Sequence, residues 1–354
     1  SVCCVCSQKQ DSEDVRGGIY MNYPNNRQWL INGNPRGRAL AATDFKYNEA
    51  APGILEAGDV RVRVETLGFD PSQKGQLENV SGYASGNDIG MVMKARGVGE
   101  IIESRDEKCP VGSKVLGNLG WQEYVVMRGK ALEIVPNDAF LSARLGPLGG
   151  TGLTAYFGLL RVGLPEPGDT VVVSGAAGAV GSIVGQIAKI MGCRTVGIAG
   201  GEQKCAWLVD ELGYDAAIDY KEGQVKSQLK QLCPDGINVF FDNVGGPILN
   251  DALARIAPFA RVVICGGISR YEQSQLPAGP ANYFNIVFRQ AVMQGFLLTG
   301  YEQDYTRARE RIMTWMQAGQ VVHKEDVQEG FENIPATLSR LFSGQNFGKQ
   351  LLRL

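Results

Sequence analysis

The stretch Val171-Val172-Val173-Ser174-Gly175-Ala176-Ala177-Gly178-Ala179-Val180-Gly181-Ser182 decides how this chain folds. Three consecutive β-branched residues suit a strand covered on both faces. The glycines at 175, 178 and 181 then turn that strand into a helix and let backbone amides approach a pyrophosphate. Past the turn, Val180, Ile183, Val184, Ile187 and Met191 recur at helical spacing, and Gly192 supplies a stop. A second strand, residues 194–198, follows directly. The G-x-x-G-x-x-G spacing departs from the usual dinucleotide fingerprint, and an ordinary βαβ unit with a tight turn and no ligand has the same outline.

Working outward, residues 216–218, 239–242, 262–265 and 292–298 form further short apolar runs, and helical patterns at 202–212, 224–232 and 247–256 separate most of them. This alternation predicts an α/β fold whose centre, residues 147–300, is a doubly wound parallel sheet of the Rossmann kind. The chain before it differs in kind. In residues 60–67, Val62 and Val64 alternate with Arg61, Arg63 and Glu65, as in a half-exposed antiparallel strand. Runs at 98–102, 114–116, 124–127 and 132–135, divided by glycines, prolines and turns, extend this into a compact β-barrel. A helix over 304–318 and the segment 348–354 are expected to return the chain to that barrel, giving it residues 27–146 and 301–354.

Length and composition fit two domains, since 354 residues with 44% hydrophobic and 20% charged residues are ordinary for a soluble globular protein. A net charge of -2 without a basic run implies neither nucleic acid nor an anionic membrane as partner, which leaves small molecules. Residues 170–188 carry no charge but are broken by four glycines and a strand-to-helix switch, so they are not a transmembrane helix. Of eight cysteines, Cys3, Cys4 and Cys6 crowd the first residues and the rest are scattered, without a disulfide framework. That pattern favours a reducing, cytoplasmic setting. The C-C-x-C segment lacks a nearby histidine or second cysteine pair, so residues 1–26 are expected to be a disordered leader rather than a metal site. Ser1 is not an initiator, which leaves a fragment, a start at Met21 and a lost targeting leader as alternatives; no apolar h-region supports secretion.

Four segments occur in order: Gly152-Leu153-Thr154-Ala155-Tyr156, the glycine turn at 174–182, Phe241-Asp242-Asn243-Val244-Gly245-Gly246 and Gly348-Lys349-Gln350. With the barrel, inserted dinucleotide domain and C-terminal return, they resemble the medium-chain dehydrogenase/reductase superfamily from about Arg27 onward. Within it, the chain is most similar to the zinc-independent prostaglandin reductase, alkenal reductase and curcumin reductase family. The resemblance implies a GroES-like barrel and a homodimer that extends its sheet across residues 292–298. The absence of zinc can also be read directly. The only histidine is His323, and Phe69-Asp70-Pro71 stands where zinc enzymes of the superfamily place their first cysteine ligand. Metal-polarised alcohol oxidation and Ser-His-Asp hydrolysis lose their essential groups, no metal is expected, and His323 is expected at the surface.

An NAD enzyme would place Asp or Glu at the end of the second strand, where this chain has Ile198-Ala199-Gly200-Gly201. The resemblance instead assigns Lys204 and Tyr220 to a 2′-phosphate, hence NADPH, while Glu202 keeps NAD as the alternative. It implies that Gly175, Ala177, Gly178, Ala179, Val180 and Gly181 hold the diphosphate, with Asn346 approaching it and Asn243 as a further cofactor contact. Cys265, Gly266, Ile268 and Ser269 would line the nicotinamide ribose; Phe296 and Leu298 would flank the ring, although burial in a strand explains both equally.

Without a metal, the fitting chemistry is hydride transfer to an activated carbon-carbon double bond, whose carbonyl spreads the negative charge into an enolate. Tyr271 follows the fifth strand at the carboxyl edge of the sheet and matches the family's active-site tyrosine. A phenol with an ordinary pKa near 10 suits polarisation of the oxyanion better than full proton transfer. Residues 67–74 depart from the family's pattern at its small and arginine-bearing positions. Tyr83, Trp121, Tyr283 and Phe284 offer aromatic surface to an apolar substrate or serve as packing. The expected function is NADPH-dependent reduction of α,β-unsaturated ketones or aldehydes; quinone reduction and a non-catalytic NADPH-binding structural or sensor role are the alternatives.

Overall fold

The computed structural model describes residues 25–78, 87–275 and 277–354. The readings placed on Cys3, Cys4, Cys6, Met21 and Tyr83 lie outside the described residues. In chain order, β1 (Asn26–Ile31) and β2 (Phe45–Ala50) pair antiparallel. They are followed by β3 (Asp59–Gly68), helix α1 (Ser72–Leu77), β4 (Arg96–Ser104), β5 (Lys114–Asn118), β6 (Tyr124–Arg128) and β7 (Glu133–Val135). The central part comprises α2 (Gly150–Phe157), β8 (Thr170–Ser174), α3 (Gly181–Ile190), β9 (Arg194–Ala199), α4 (Glu202–Asp210) and β10 (Ala216–Asp219). It continues through α5 (Val225–Leu232), β11 (Ile237–Asp242), α6 (Gly246–Leu253), β12 (Ile256–Ile264), α7 (Asn285–Phe288) and β13 (Val292–Gly295). The chain closes with α8 (Tyr305–Gln317), β14 (Glu325–Glu329), α9 (Ile334–Phe342) and β15 (Lys349–Arg353).

The second sheet has the order β10-β9-β8-β11-β12-β13 with every neighbouring pair parallel. Why it folds so is visible in β8. Val171 and Val173 enter one core with α2, α3 and α8, Val172 enters another with α5 and α6, and all three are 0% exposed. A strand with no solvent face needs helices on both sides, which a parallel βαβ succession provides. The strand order reverses between β8 and β11, and a crevice opens outside their carboxyl ends.

The β-barrel half is a seven-stranded sheet, β14-β15-β3-β4-β5-β7, with β6 added on β3. β3 is its hub: Val60, Val62 and Val64 fill the core, while Arg61 departs from the expected exposed face. At 5% exposure, Arg61 donates from Nη2 to Gly53 O at 2.8 Å and from Nε to Glu103 at 3.0 Å, so burial is tolerated because both ends of the guanidinium are bonded.

Three element boundaries differ from the pattern reading. The apolar run at 262–265 is only the end of the nine-residue β12, which shifts register between Ile237 and Val239 on its partner and carries Phe259 at φ 60, 63% exposed. β13 stops at Gly295 because its partner β12 ends at Ile264, so Phe296 and Leu298 lie beyond the ladder. Helix α8 does not lead back to the barrel: its Ala308, Ile312 and Trp315 pack into the core shared with α2 and α3, and the return runs through β14, α9 and β15. There Gly348 bridges to Gly178, its amide donating to Ala177 O at 2.9 Å.

Candidate functional site

The crevice begins at the end of β8. Gly175 takes φ +60, a left-handed conformation that favours glycine. Gly181 opens α3 so close to the strand that a Cβ there would lie 2.4 Å from Gly175 O and 2.7 Å from Ala176 Cα. Between them Gly178 N donates to Gly175 O at 3.0 Å. The amides of Ala179, Val180 and Gly181 donate to no group among the described residues. Unpaired amides at a helix start are what an anionic diphosphate requires, so the cradle fits such a group.

Across the crevice, Ser174 Oγ donates to Asp242 Oδ1 at 2.7 Å and accepts from the Asn243 amide at 2.8 Å; Asn243 Nδ2 donates to Ser174 O at 2.8 Å. Asp242 is 1% exposed and also accepts from the amides of Val244 and Gly245 at 3.0 and 2.9 Å. Burial pushes its carboxyl above the usual carboxylate range, against the pull of those donors. The loops after β11 and β12 are zipped together. Cys265 N and Gly266 N donate to Asp242 O, Ile268 N donates to Asn243 O at 3.2 Å, and Ser269 Oγ donates to Val244 O at 2.6 Å. Gly175, Asn243, Cys265, Gly266, Ile268 and Ser269 therefore meet in one crevice. Burial, then the Asp242 charge, pushes the Cys265 thiol up to about 12, so it is a neutral lining group rather than a nucleophile.

Lys204 and Tyr220 flank the end of β9. The Lys204 ammonium donates to Gly344 O at 2.8 Å and stands 5.4 Å from the Phe347 ring centroid, with no carboxylate in ion-pair range among the described residues. Burial, then the nearby charge of Lys221, pushes its pKa down. Tyr220 is 45% exposed, its ring set against Gly200. Asn346, 9% exposed, donates to Gly348 O at 3.1 Å within the segment that crosses the glycine turn. Phe296 and Leu298 pack against the core of the parallel-sheet half.

Tyr271 is half-buried after the short turn Ile268–Arg270, with its ring centroid 5.8 Å from that of Phe342. A cavity of about 670 Å³ lies beside it, walled by Trp29, Leu40, Glu272, Pro335, Ala336 and Phe342. That volume suits a small-molecule acceptor. Trp121 is 0% exposed between Phe45 and Phe69 in the barrel core, so it does not offer substrate surface. Tyr283 and Phe284 are 57% and 54% exposed. His323 is half-buried rather than at the surface, its Nε2 lying 3.2 Å from Glu325. Among the described residues, no three His, Cys, Asp or Glu side chains are grouped to hold a metal ion.

Two lysines that lie in segments quoted from the sequence received no role there. Lys349, 3% exposed, donates to Phe69 O at 3.0 Å and to Asp70 at 2.6 Å; Lys74, 0% exposed, reaches the Tyr271 carbonyl. Each is a single lysine in a short element, and neither spacing nor periodicity marks it.

Known proteins share this sequence and fold. Residues 27–135 match the N-terminal domain of oxidoreductase family and residues 179–314 the zinc-binding dehydrogenase family. The NADPH-dependent curcumin reductase of Escherichia coli is 35% identical over 338 residues, covering 93% of this chain and 97% of that protein. Prostaglandin reductase 1 of Oryctolagus cuniculus is 37% identical over 314 residues, covering 87% of each. The crystal structure of CurA from Vibrio vulnificus in complex with NADPH superposes with a TM-score of 0.88 at 35% identity, covering 92% of this chain and 98% of that one. The chain thus belongs to the medium-chain dehydrogenase/reductase superfamily, in the family of the prostaglandin, 2-alkenal and curcumin reductases.

Proposed function

We propose that this protein is an NADPH-dependent, zinc-independent reductase of the carbon-carbon double bond in α,β-unsaturated ketones and aldehydes. The observation that carries the reading is the placement of Tyr271. Its loop is bonded through Ile268 and Ser269 to Asn243 and Val244, on the same crevice that presents the unpaired amides of Ala179, Val180 and Gly181. NADPH, when bound, supplies the hydride. The turn amides would hold its diphosphate with Asn346 approaching it, Lys204 and Tyr220 would hold its 2′-phosphate, Asn243, Cys265, Gly266, Ile268 and Ser269 would line the nicotinamide side, and Phe296 and Leu298 would flank the ring. Tyr271 donates its phenolic hydrogen bond to the acceptor's carbonyl oxygen and stabilises the enolate as charge develops there. Zinc independence is supported at residue 69, where a phenylalanine 1% exposed in the barrel core replaces a metal-binding side chain.

The names of its relatives, curcumin, prostaglandin and 2-alkenal reductases, support an enone or enal as acceptor. The free, mostly buried cysteines at 109, 193, 205, 233 and 265 support a cytoplasmic setting. A homodimer is supported by an exposed apolar patch around β13, where Val287 and Phe288 of α7, Val292 of β13 and Leu297 just past it are 61%, 73%, 55% and 57% exposed.

The test is NADPH consumption, followed by absorbance, across enals, enones and quinones. Tyr271→Phe is expected to cut enone kcat/KM roughly a hundredfold, the effect of losing one oxyanion donor, with NADPH affinity intact. An unaltered rate removes Tyr271 from the chemistry. Turnover of quinones alone makes this a quinone reductase, and no turnover at all makes it a nucleotide-binding protein without catalysis.

A further inference from the structure

Lys74 is a lysine with no contact with water, and burying an ammonium is costly unless every donor is matched. Its three donors meet three acceptors from three segments: Pro35 O at 3.2 Å in the loop after β1, the Glu78 carboxylate one turn on, and the carbonyl of Tyr271 in the loop after β12. The two loops it joins are themselves in contact, since a Cβ on Gly37 would stand 2.9 Å from Ser274 Cα. The ammonium therefore sits at the seam between the barrel and the parallel-sheet half, and its bond to Tyr271 spans 197 positions of sequence.

We infer that Lys74 is a positioning residue: it fixes the main chain of Tyr271 against the barrel and thereby sets where the phenol stands over the acceptor. The inference rests on the reading that Tyr271 polarises the acceptor. Tyr271 begins the loop's run away from the short turn Ile268–Arg270; its amide donates to Ile268 O at 3.3 Å and its carbonyl accepts from Lys74, so the main chain is tied on both sides of the residue. Glu78, with 11% of its side chain exposed, neutralises the ammonium and keeps it in place.

The experiment uses the whole protein and the paired change Lys74→Met with Glu78→Gln, because Lys74→Met alone would strand a mostly buried carboxylate. The double variant is expected to lose about ten- to a hundredfold in kcat for enone reduction, the scale of an ångström-sized misplacement, while NADPH affinity stays within about twofold. Lys74→Arg, which keeps cation and donors, is expected to restore much of the loss. Adding Tyr271→Phe to the double variant is expected to cost little more, since both changes remove one function. Full kcat in the folded double variant overturns the inference, and so does a Tyr271→Phe penalty that multiplies with it undiminished. If Tyr271→Phe alone runs at the wild-type rate, the reading of Tyr271 fails first and the role of Lys74 falls with it, a result distinct from the other two. Should the double variant not fold, Glu78→Gln alone loosens the ammonium but leaves both carbonyl acceptors; a several-fold fall in kcat supports the inference and an unchanged kcat overturns it.

Discussion

Gly181 and Gly178 sit three residues apart in one turn, yet alanine at each should fail for opposite reasons. A Cβ on Gly181 would meet Gly175 O at 2.4 Å, Ala176 Cα at 2.7 Å and Gly175 C at 3.0 Å, against ordinary contacts that begin at 3.4 Å. All three are backbone atoms, so relief requires moving the end of β8 or the first turn of α3 by about an ångström. Overpacking of this kind costs about 1–3 kcal/mol, and a backbone clash belongs at the upper end. A Cβ on Gly178 meets only Gly175 O, at 3.2 Å, and otherwise open space. Its cost to folding should stay at about 1 kcal/mol, since a single neighbour has to give by a few tenths of an ångström. The methyl would, however, enter the space beside the unpaired amides of Ala179 and Val180, where the diphosphate is proposed to approach. Denaturant unfolding and NADPH titration by fluorescence, run on both variants, separate the two effects. Gly181→Ala is expected to lose about 2–3 kcal/mol of stability, and Gly178→Ala to weaken NADPH binding about tenfold or more, which is at least about 1.4 kcal/mol. Wild-type stability in Gly181→Ala would refute the tight strand-helix junction, and undiminished NADPH binding in Gly178→Ala would refute the assignment of the diphosphate to this turn.

Lys204→Ala should lower the ratio of NADPH to NADH efficiency about tenfold or more, because a charge-assisted phosphate bond worth about 1.5–3 kcal/mol goes with it; an unchanged ratio in steady-state kinetics removes Lys204 from the 2′-phosphate. Asp44, 1% exposed, would have its carboxyl raised by burial, but Arg38 at 2.5 Å, the Ala41 amide at 2.8 Å and the charges of Arg38 and Lys74 hold it below the usual range. A carboxyl depressed in the folded state contributes stability that is complete above its unfolded pKa of about 3.9 and is lost as pH falls through the folded value. Melting temperatures of Asp44→Asn should therefore decline less below about pH 4 than those of the wild type, and parallel acid limbs would contradict the pairing. Phe288→Lys, on the exposed apolar edge beside β13, is expected to shift the gel-filtration peak from dimer to monomer; an unmoved dimer peak places the interface elsewhere.

The parallel sheet was readable because its signal is local. Val171, Val172 and Val173 need cover on both faces, and the glycines that follow need no distant partner to make their turn. Lys204, Tyr220 and Tyr271 are named only through the family resemblance, since no local spacing marks them. What could not be read depends on partners far away in sequence. Arg61 is buried because Gly53 and Glu103 satisfy it, and Lys74 because Pro35 and Tyr271 do, 39 and 197 positions distant. The limits of β12 and β13 were blurred for a related reason. A strand ends where its neighbour's ladder ends, and the apolar run from Val292 to Leu298 continues past Gly295 because Phe296 and Leu298 are wanted for packing rather than pairing.

The two buried lysines bear on where acceptor specificity resides. Lys349 ties Phe69 and Asp70 to a strand whose neighbour Gly348 donates to Ala177 O in the glycine turn, and Lys74 ties the next turn of chain to Tyr271. The segment 69–77 is thus held at both ends against the two sides of the crevice. Within it Gln73, 5% exposed, accepts from the Asp70 amide at 3.0 Å and donates to Lys94 O at 3.2 Å. Residues spent on holding the frame are poorly placed to choose among substrates, even though this is where the chain departs from its family's pattern. On the proposed function, the apolar side chains of the neighbouring cavity, Leu40, Pro335, Ala336 and Phe342, are the candidates for contact with the acceptor. Enlarging Ala336 to Leu should accordingly shift relative kcat/KM between short and long enones, about 1–3 kcal/mol being available from a filled apolar pocket, whereas Gln73→Glu should lower stability without reordering them.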